Sequence, residues 1–233
     1  MIERNITRAM LAGLAVTTAL LGFGWAGQRC ARPTGRVLCD SRAAGPTLPA
    51  DSLPVPLFRQ ATTYSCAAAS LQAVLVYWGV FDGRESQLYK PLNTTEKDGT
   101  EPPAIAAAAK KYGLCAELRE HGAIDDLRQA LLRGDTVILD LQAWPDRPHR
   151  LPWAQTWEDG HYVVLVGMDA DRAYVMDPST SAAYAFLPLA ELVSRWHDYE
   201  DRGGVRREYL QAAIFIHGKK AAAEYPGPLV RLE

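Results

Sequence analysis

Gln60-Ala61-Thr62-Thr63-Tyr64-Ser65-Cys66-Ala67-Ala68-Ala69-Ser70-Leu71-Gln72-Ala73-Val74-Leu75-Val76-Tyr77-Trp78-Gly79 joins a short polar loop to a long apolar run, with one cysteine at the junction. From Ala67 to Trp78 the run contains neither Gly nor Pro, and Gly79 is suited to the residue just past a helix end. Thr62, Thr63 and Ser65 are candidate N-caps. The pattern predicts a helix with Cys66 in its first turn. A thiol reacts as its thiolate, and the unpaired N–H groups of a helix N-terminus favour that form. The competing reading is a small apolar cysteine packed into a core helix.

A thiol nucleophile needs a base within reach, and the base needs a third group to hold its tautomer. Of the five histidines, His161 has suitable surroundings. Asp159-Gly160-His161-Tyr162-Val163-Val164-Leu165-Val166-Gly167 places it at the entrance of a strand rich in β-branched residues. Met168 to Arg172 reads as a tight turn. Ala173-Tyr174-Val175-Met176-Asp177-Pro178 reads as the return strand, ended by an acid and a proline that cannot continue the ladder. Antiparallel pairing would then set Asp177 beside His161. Singly, His161 also reads as a core histidine, Asp177 as a turn residue before proline, and Gln60 as a surface amide. His121 and His149 stand in loop-like contexts, His197 at a helix exit, and His217 at the end of an apolar strand. None has metal-ligand spacing with a cysteine, so no metal or cofactor is expected.

In order, Gln60, Cys66, His161 and Asp177 resemble the papain-like cysteine peptidase domain that trims double-glycine leaders from bacteriocins, cysteine peptidase family thirty-nine. The similarity runs from about Pro56 to Ile216. It extends to Gly99-Thr100 before a helix from Pro103 to Tyr112, a helix from Ile124 to Arg133, a central strand from Thr136 to Leu141, and a closing helix from Leu189 toward Trp196. Ala67 stands where many members have glycine. The resemblance implies an α+β fold with the nucleophile helix packed on an antiparallel sheet. It also implies Cys66 as nucleophile, His161 as base and then acid, Asp177 as its orienting partner, and Gln60 with the Cys66 N–H as oxyanion donors. A peptide or protein substrate follows. The alternatives are a peptide-binding domain without turnover, or a thiol amidase or transpeptidase acting on cell-wall or other amides. No Gly-rich phosphate loop occurs in the 233 residues, so an ATP-driven export partner would be a separate chain.

Around this unit, residues 1–27 read as a signal peptide or N-terminal anchor. Arg4 and Arg8 precede the apolar segment 9–25, and Gly24 and Ala26 suit cleavage after Ala26. At about seventeen residues the segment reaches the short end of what spans a bilayer, so membrane association through it is the rival reading. Export predicts a periplasmic or extracellular chain. Residues 28–55 read as a linker or an arm draped over a peptidase domain at 56–217, and 218–233 as a flexible tail. Cys30 and Cys39 either close a small disulfide loop or stay unpaired in the arm, and Cys115 reads as a buried strand residue. The formal charge of −2 and pI near 6.2 argue against a nucleic-acid surface. Three tryptophans, Trp144, Trp153 and Trp157, crowd the loop before His161. They are candidates to line substrate subsites or to pack the loop down.

Overall fold

The computed structural model describes residues 46–144, 152–180, 183–219, 221 and 229–231. The apolar segment 9–25, Cys30 and Cys39 lie outside them, as does the middle of the tryptophan loop. Among the described residues no helix is long and apolar enough to cross a membrane.

Helix α1, Cys66–Tyr77, buries ten of its twelve residues. A helix apolar all round belongs inside a fold rather than on its surface. It stops where expected. Gly79, at φ +66°, donates to Val76 O and Val80 donates to Leu75 O, a Schellman closure that a left-handed glycine makes without strain. A short helix α2 (Tyr89–Leu92) and helix α3 (Pro102–Lys111) follow, with proline in the first turn of α3, where no N–H is missed. Then come β1 (Cys115–Arg119), α4 (Ile124–Leu132), β2 (Thr136–Gln142), β3 (Gly160–Met168), β4 (Arg172–Met176), β5 (Tyr184–Pro188), α5 (Leu189–Arg195), β6 (His197–Arg202), β7 (Val205–Leu210), β8 (Ala213–His217) and β9 (Leu229–Arg231).

Seven strands form one sheet in the order β1-β8-β2-β3-β4-β5-β9, antiparallel except for the parallel pair β5–β9. Strands β6 and β7 make a separate hairpin. Side chains alternate across the main sheet. Ile138, Val164, Val166 and Ile214 join the core around α1 and α3. Leu139, Val163, Leu165 and Ala213 join a second core with Leu127 of α4 and Leu192 of α5. Helices thus cover both faces, which is why β2 is buried along its whole length, its polar Thr136, Asp140 and Gln142 included.

Two stretches outside the expected domain are part of the packing. In the arm, Leu53 and Val55 are buried, and Leu53 N donates to Val166 O at 2.7 Å. Strand β9 lies in the expected flexible tail, which is therefore partly structured. Its backbone extends the ladder of β5, and Arg231 reaches Glu191 at 2.6 Å. The arm fits because β3 is bare at Gly167, where an added Cβ would lie 2.3 Å from Ser52 Oγ and 3.1 Å from Ser52 Cβ. Gly167→Ala is expected to lower stability by about 1–3 kcal/mol through overpacking. Adding Ser52→Gly should recover most of that loss in urea unfolding. An unchanged midpoint for Gly167→Ala would mean the arm is not seated there.

Candidate active site

Cys66 is the first residue of α1 and is half-buried. Ser65 occupies the N-cap position, yet its hydroxyl does not cap the helix. It turns back to accept from Thr62 N at 3.0 Å and so ties the preceding loop. The first-turn N–H groups are left for whatever lies in front of Cys66. The loop has a second anchor that sequence reasoning missed. Glu85, itself buried, accepts from Ala61 N at 2.9 Å and from the Tyr89 hydroxyl at 2.8 Å. Nothing in the local pattern marks this glutamate, because its partner lies twenty-four residues upstream.

His161, the second residue of β3, is fully buried. Its Nε2 bonds Asp177 Oδ1 at 2.7 Å. Asp177 follows the last residue of β4, so the hairpin does bring the two together. Three further donors hold its carboxylate: Ser179 N at 2.8 Å to Oδ1, and the Ser179 and Thr180 hydroxyls at 2.7 Å to Oδ2. The other ring nitrogen, Nδ1, is buried without a hydrogen-bond partner. With Nε2 taken by Asp177, Nδ1 is the nitrogen left for Cys66, whose sulfur acts on the ring electrostatically. Burial alone would lower the His161 pKa, but the Asp177 hydrogen bond and the Cys66 sulfur outweigh it and push the ring up to about 9. Burial would likewise raise Asp177, but His161 and the Ser179 donors bring it down to about 2. The imidazole rests as an imidazolium on a carboxylate.

Gln60 is tied to the same corner, its N–H donating to Pro178 O at 2.9 Å, one residue past Asp177. Its Nε2 donates to Thr62 O at 2.8 Å, which leaves one amide hydrogen uncommitted. Of the three loop tryptophans, Trp144 lies with its ring centroid 4.3 Å from that of His161, and Trp157 lines the cleft in front of Cys66. Trp153 packs instead under the Arg195 guanidinium, 3.6 Å from its centroid.

The remaining histidines sit elsewhere. His197 stands just past the end of α5, as expected, and opens β6, and its Nε2 donates to Thr156 O at 2.8 Å. His217 Nδ1 lies 2.9 Å from Asp135 Oδ1. Cys115, expected to be buried, is exposed on the edge strand β1, opposite His217. Ala116 and Leu118 take the inward positions there, so alternation turns Cys115 out. Among the described residues no group of His, Cys, Asp and Glu could hold a metal ion.

The sequence profile of the Peptidase C39-like family matches residues 52–203. The chain belongs to that family. Comparison with curated protein sequences gives no match. Among solved structures, a chain described as a C39-like peptidase from Bacillus anthracis superposes with a TM-score of 0.53 at 18% identity, over 75% of this chain and 98% of that one. The peptidase domain of Streptococcus ComA, described as a bifunctional ABC transporter of a quorum-sensing pathway, superposes with a TM-score of 0.51 at 21% identity, over 71% and 99%. These likenesses give the C39-like chain its fold, the papain-like C39 peptidase fold, with α1 laid against a largely antiparallel sheet.

Proposed function

We propose that this C39-like protein is an active cysteine peptidase. The observation that carries the reading is a buried imidazole with one nitrogen on a carboxylate and the other left for a cysteine sulfur at a helix N-terminus. In this reading Cys66 Sγ forms a bond to the carbonyl carbon, and the oxygen takes the electron pair beside Gln60 Nε2 and the Cys66 N–H. His161 gives its proton to the leaving amine as the C–N bond breaks. Water then loses a proton to His161 and attacks the acyl carbon, the C–S bond breaks, and the thiolate and imidazolium are restored. Asp177 keeps the ring oriented and its positive charge matched throughout. The reading includes a peptide substrate, and export supported by the arginine-flanked segment 9–25.

Intact-mass labelling with a thiol-directed peptidase inactivator tests it. Cys115→Ala is the proper background, because that exposed thiol stands opposite His217. Rapid modification at Cys66 alone is expected, at least tenfold slower in His161→Ala. Slow labelling, equal in both proteins, would mean an inert fold.

A further inference from the structure

The cleft in front of Cys66, about 400 Å³, is lined by six carboxylates, Glu96, Asp98, Glu158, Asp198, Glu200 and Asp201. Among the described residues Lys97 is the one basic residue on its wall, and its ammonium, largely in solvent, lies on Asp98 at 3.2 Å. A chain with 27 acidic and 25 basic residues has no overall excess that would produce such a wall by composition. Among the described residues, no lysine or arginine forms a salt bridge with Glu158, Asp198 or Glu200.

A second observation lies behind the wall. Asp140 is 1% exposed and its Oδ1 has no hydrogen-bond partner. It pairs with Tyr162 across β2 and β3, so both side chains leave the sheet on one face, the face on which Tyr162 lines the cleft. There the Asp140 carboxyl lies against that of Asp198. The position of Asp198 is itself enforced. Gln142 Nε2 donates to its Oδ1 at 2.9 Å, and a Cβ on Gly160 would fall 2.0 Å from its Oδ2. Burial raises Asp198 to about 6, with Glu158 adding to it against the hydrogen bonds of Tyr199 N–H, Gln142 and Asp140, and burial followed by Asp198 and Glu101 raises Glu200 to about 7. These are the shifts of carboxylates buried among other acids, which Arg202 offsets only in part at Glu200. An entering cation would relieve them.

The cation the cleft suits is organic. No metal-binding set exists among the described residues, and Tyr64, Trp157 and Tyr199 supply aromatic walls. One guanidinium already uses that wall: Arg206 lies 3.9 Å from the Tyr199 ring centroid and 5.1 Å from that of Trp157.

We propose that the substrate is a peptide bearing a lysine or arginine side chain a residue or two from the scissile bond, its charge held by Asp198 and Glu200 with Glu158 at the rim. This rests on Cys66 being the nucleophile, and it names the substrate class of that same site.

The test uses the full chain and three methanethiosulfonates, carrying aminoethyl, methyl or sulfonatoethyl groups. Rates at Cys66 are read by peptide mapping and normalised to a free thiol. The cationic reagent should outpace the anionic one by at least tenfold, and Glu200→Gln or Asp198→Asn should cut that ratio several-fold. The Glu200 variant guards against misfolding, since Asp198 is the more deeply built in. A lysine-containing pentapeptide should protect Cys66 from the neutral reagent where its norleucine counterpart does not. Rates indifferent to reagent charge, or a preference untouched by both substitutions, would overturn the proposal. Protection by spermidine but not by the lysine peptide would overturn the peptide assignment. A charge preference that persists while His161→Ala leaves thiol reactivity unchanged would sink the peptidase reading alone.

Discussion

Asp177→Asn is expected to lower kcat by roughly 10³–10⁴, the scale seen when a triad carboxylate becomes an amide. The replacement is nearly isosteric, and the Ser179 and Thr180 hydroxyls can rotate to suit an amide, so the fold should hold. What disappears is the charge under His161. The ring, held near 9 by that carboxylate and the Cys66 sulfur against the pull of burial, should fall toward its ordinary value of about 6.5. In the proposed mechanism the imidazolium is the acid that serves the leaving amine, so the alkaline limb of kcat should move down in pH with it. Stability carries the same signature. A raised histidine contributes fully below about pH 6.5 and loses its contribution as pH climbs through 9. A depressed carboxylate contributes fully above about pH 3.9 and loses its contribution as pH falls through 2. Both are intact between about pH 4 and 6.5. The melting-temperature deficit of Asp177→Asn should be largest there and shrink above pH 9. An alkaline limb that stays near 9 in the variant would show that Asp177 does not set the state of His161.

Gln60→Ala should reduce kcat by roughly 10²–10³ with little change in KM, as for the loss of one oxyanion donor. The backbone of Gln60 is fixed by Pro178 O and its amide nitrogen by Thr62 O, so the side chain is held in place before substrate arrives. Removing the side chain leaves both loop ties of Ser65 and Glu85 in place, and stability should hardly move. Gln60→Glu should be worse than alanine, because a carboxylate would face the developing oxyanion. A KM effect with kcat intact would make Gln60 a substrate contact and not an oxyanion donor.

Much of this architecture was legible because it is local. The run from Cys66 to Gly79 carries its own start and stop, and the β3–β4 hairpin follows from β-branched residues on either side of a polar turn. Asp177 could be placed beside His161 since antiparallel pairing needs only the turn between them. The exposure of Cys115 was equally legible. In Cys115-Ala116-Glu117-Leu118-Arg119 it alternates with the residues that go inside. Glu85, Asp140 and Asp198 were not legible. Each takes its role from a partner far along the chain: the Ala61 N–H, the carboxyl of a strand in another sheet, the bare Cα of Gly160. Ser65 misled for a related reason. A cap residue in the right place can spend its hydroxyl on the loop behind it instead.

The strand order has a consequence for how the chain comes to be folded at all. Strand β8, made after β1 to β7, is inserted between β1 and β2, with Cys115 opposite His217 and Thr136 opposite Ile216. A fragment that stops short of residue 213 leaves the facing edges of β1 and β2 without the strand that joins them. The loop that must close is long, and such non-local pairings form late. The part of the sheet that holds β1 to β2 therefore closes only after β8 has been made. Until β8 docks, β2 lacks a partner on one side, and the pair β2–β3 that carries His161 belongs to an unfinished sheet.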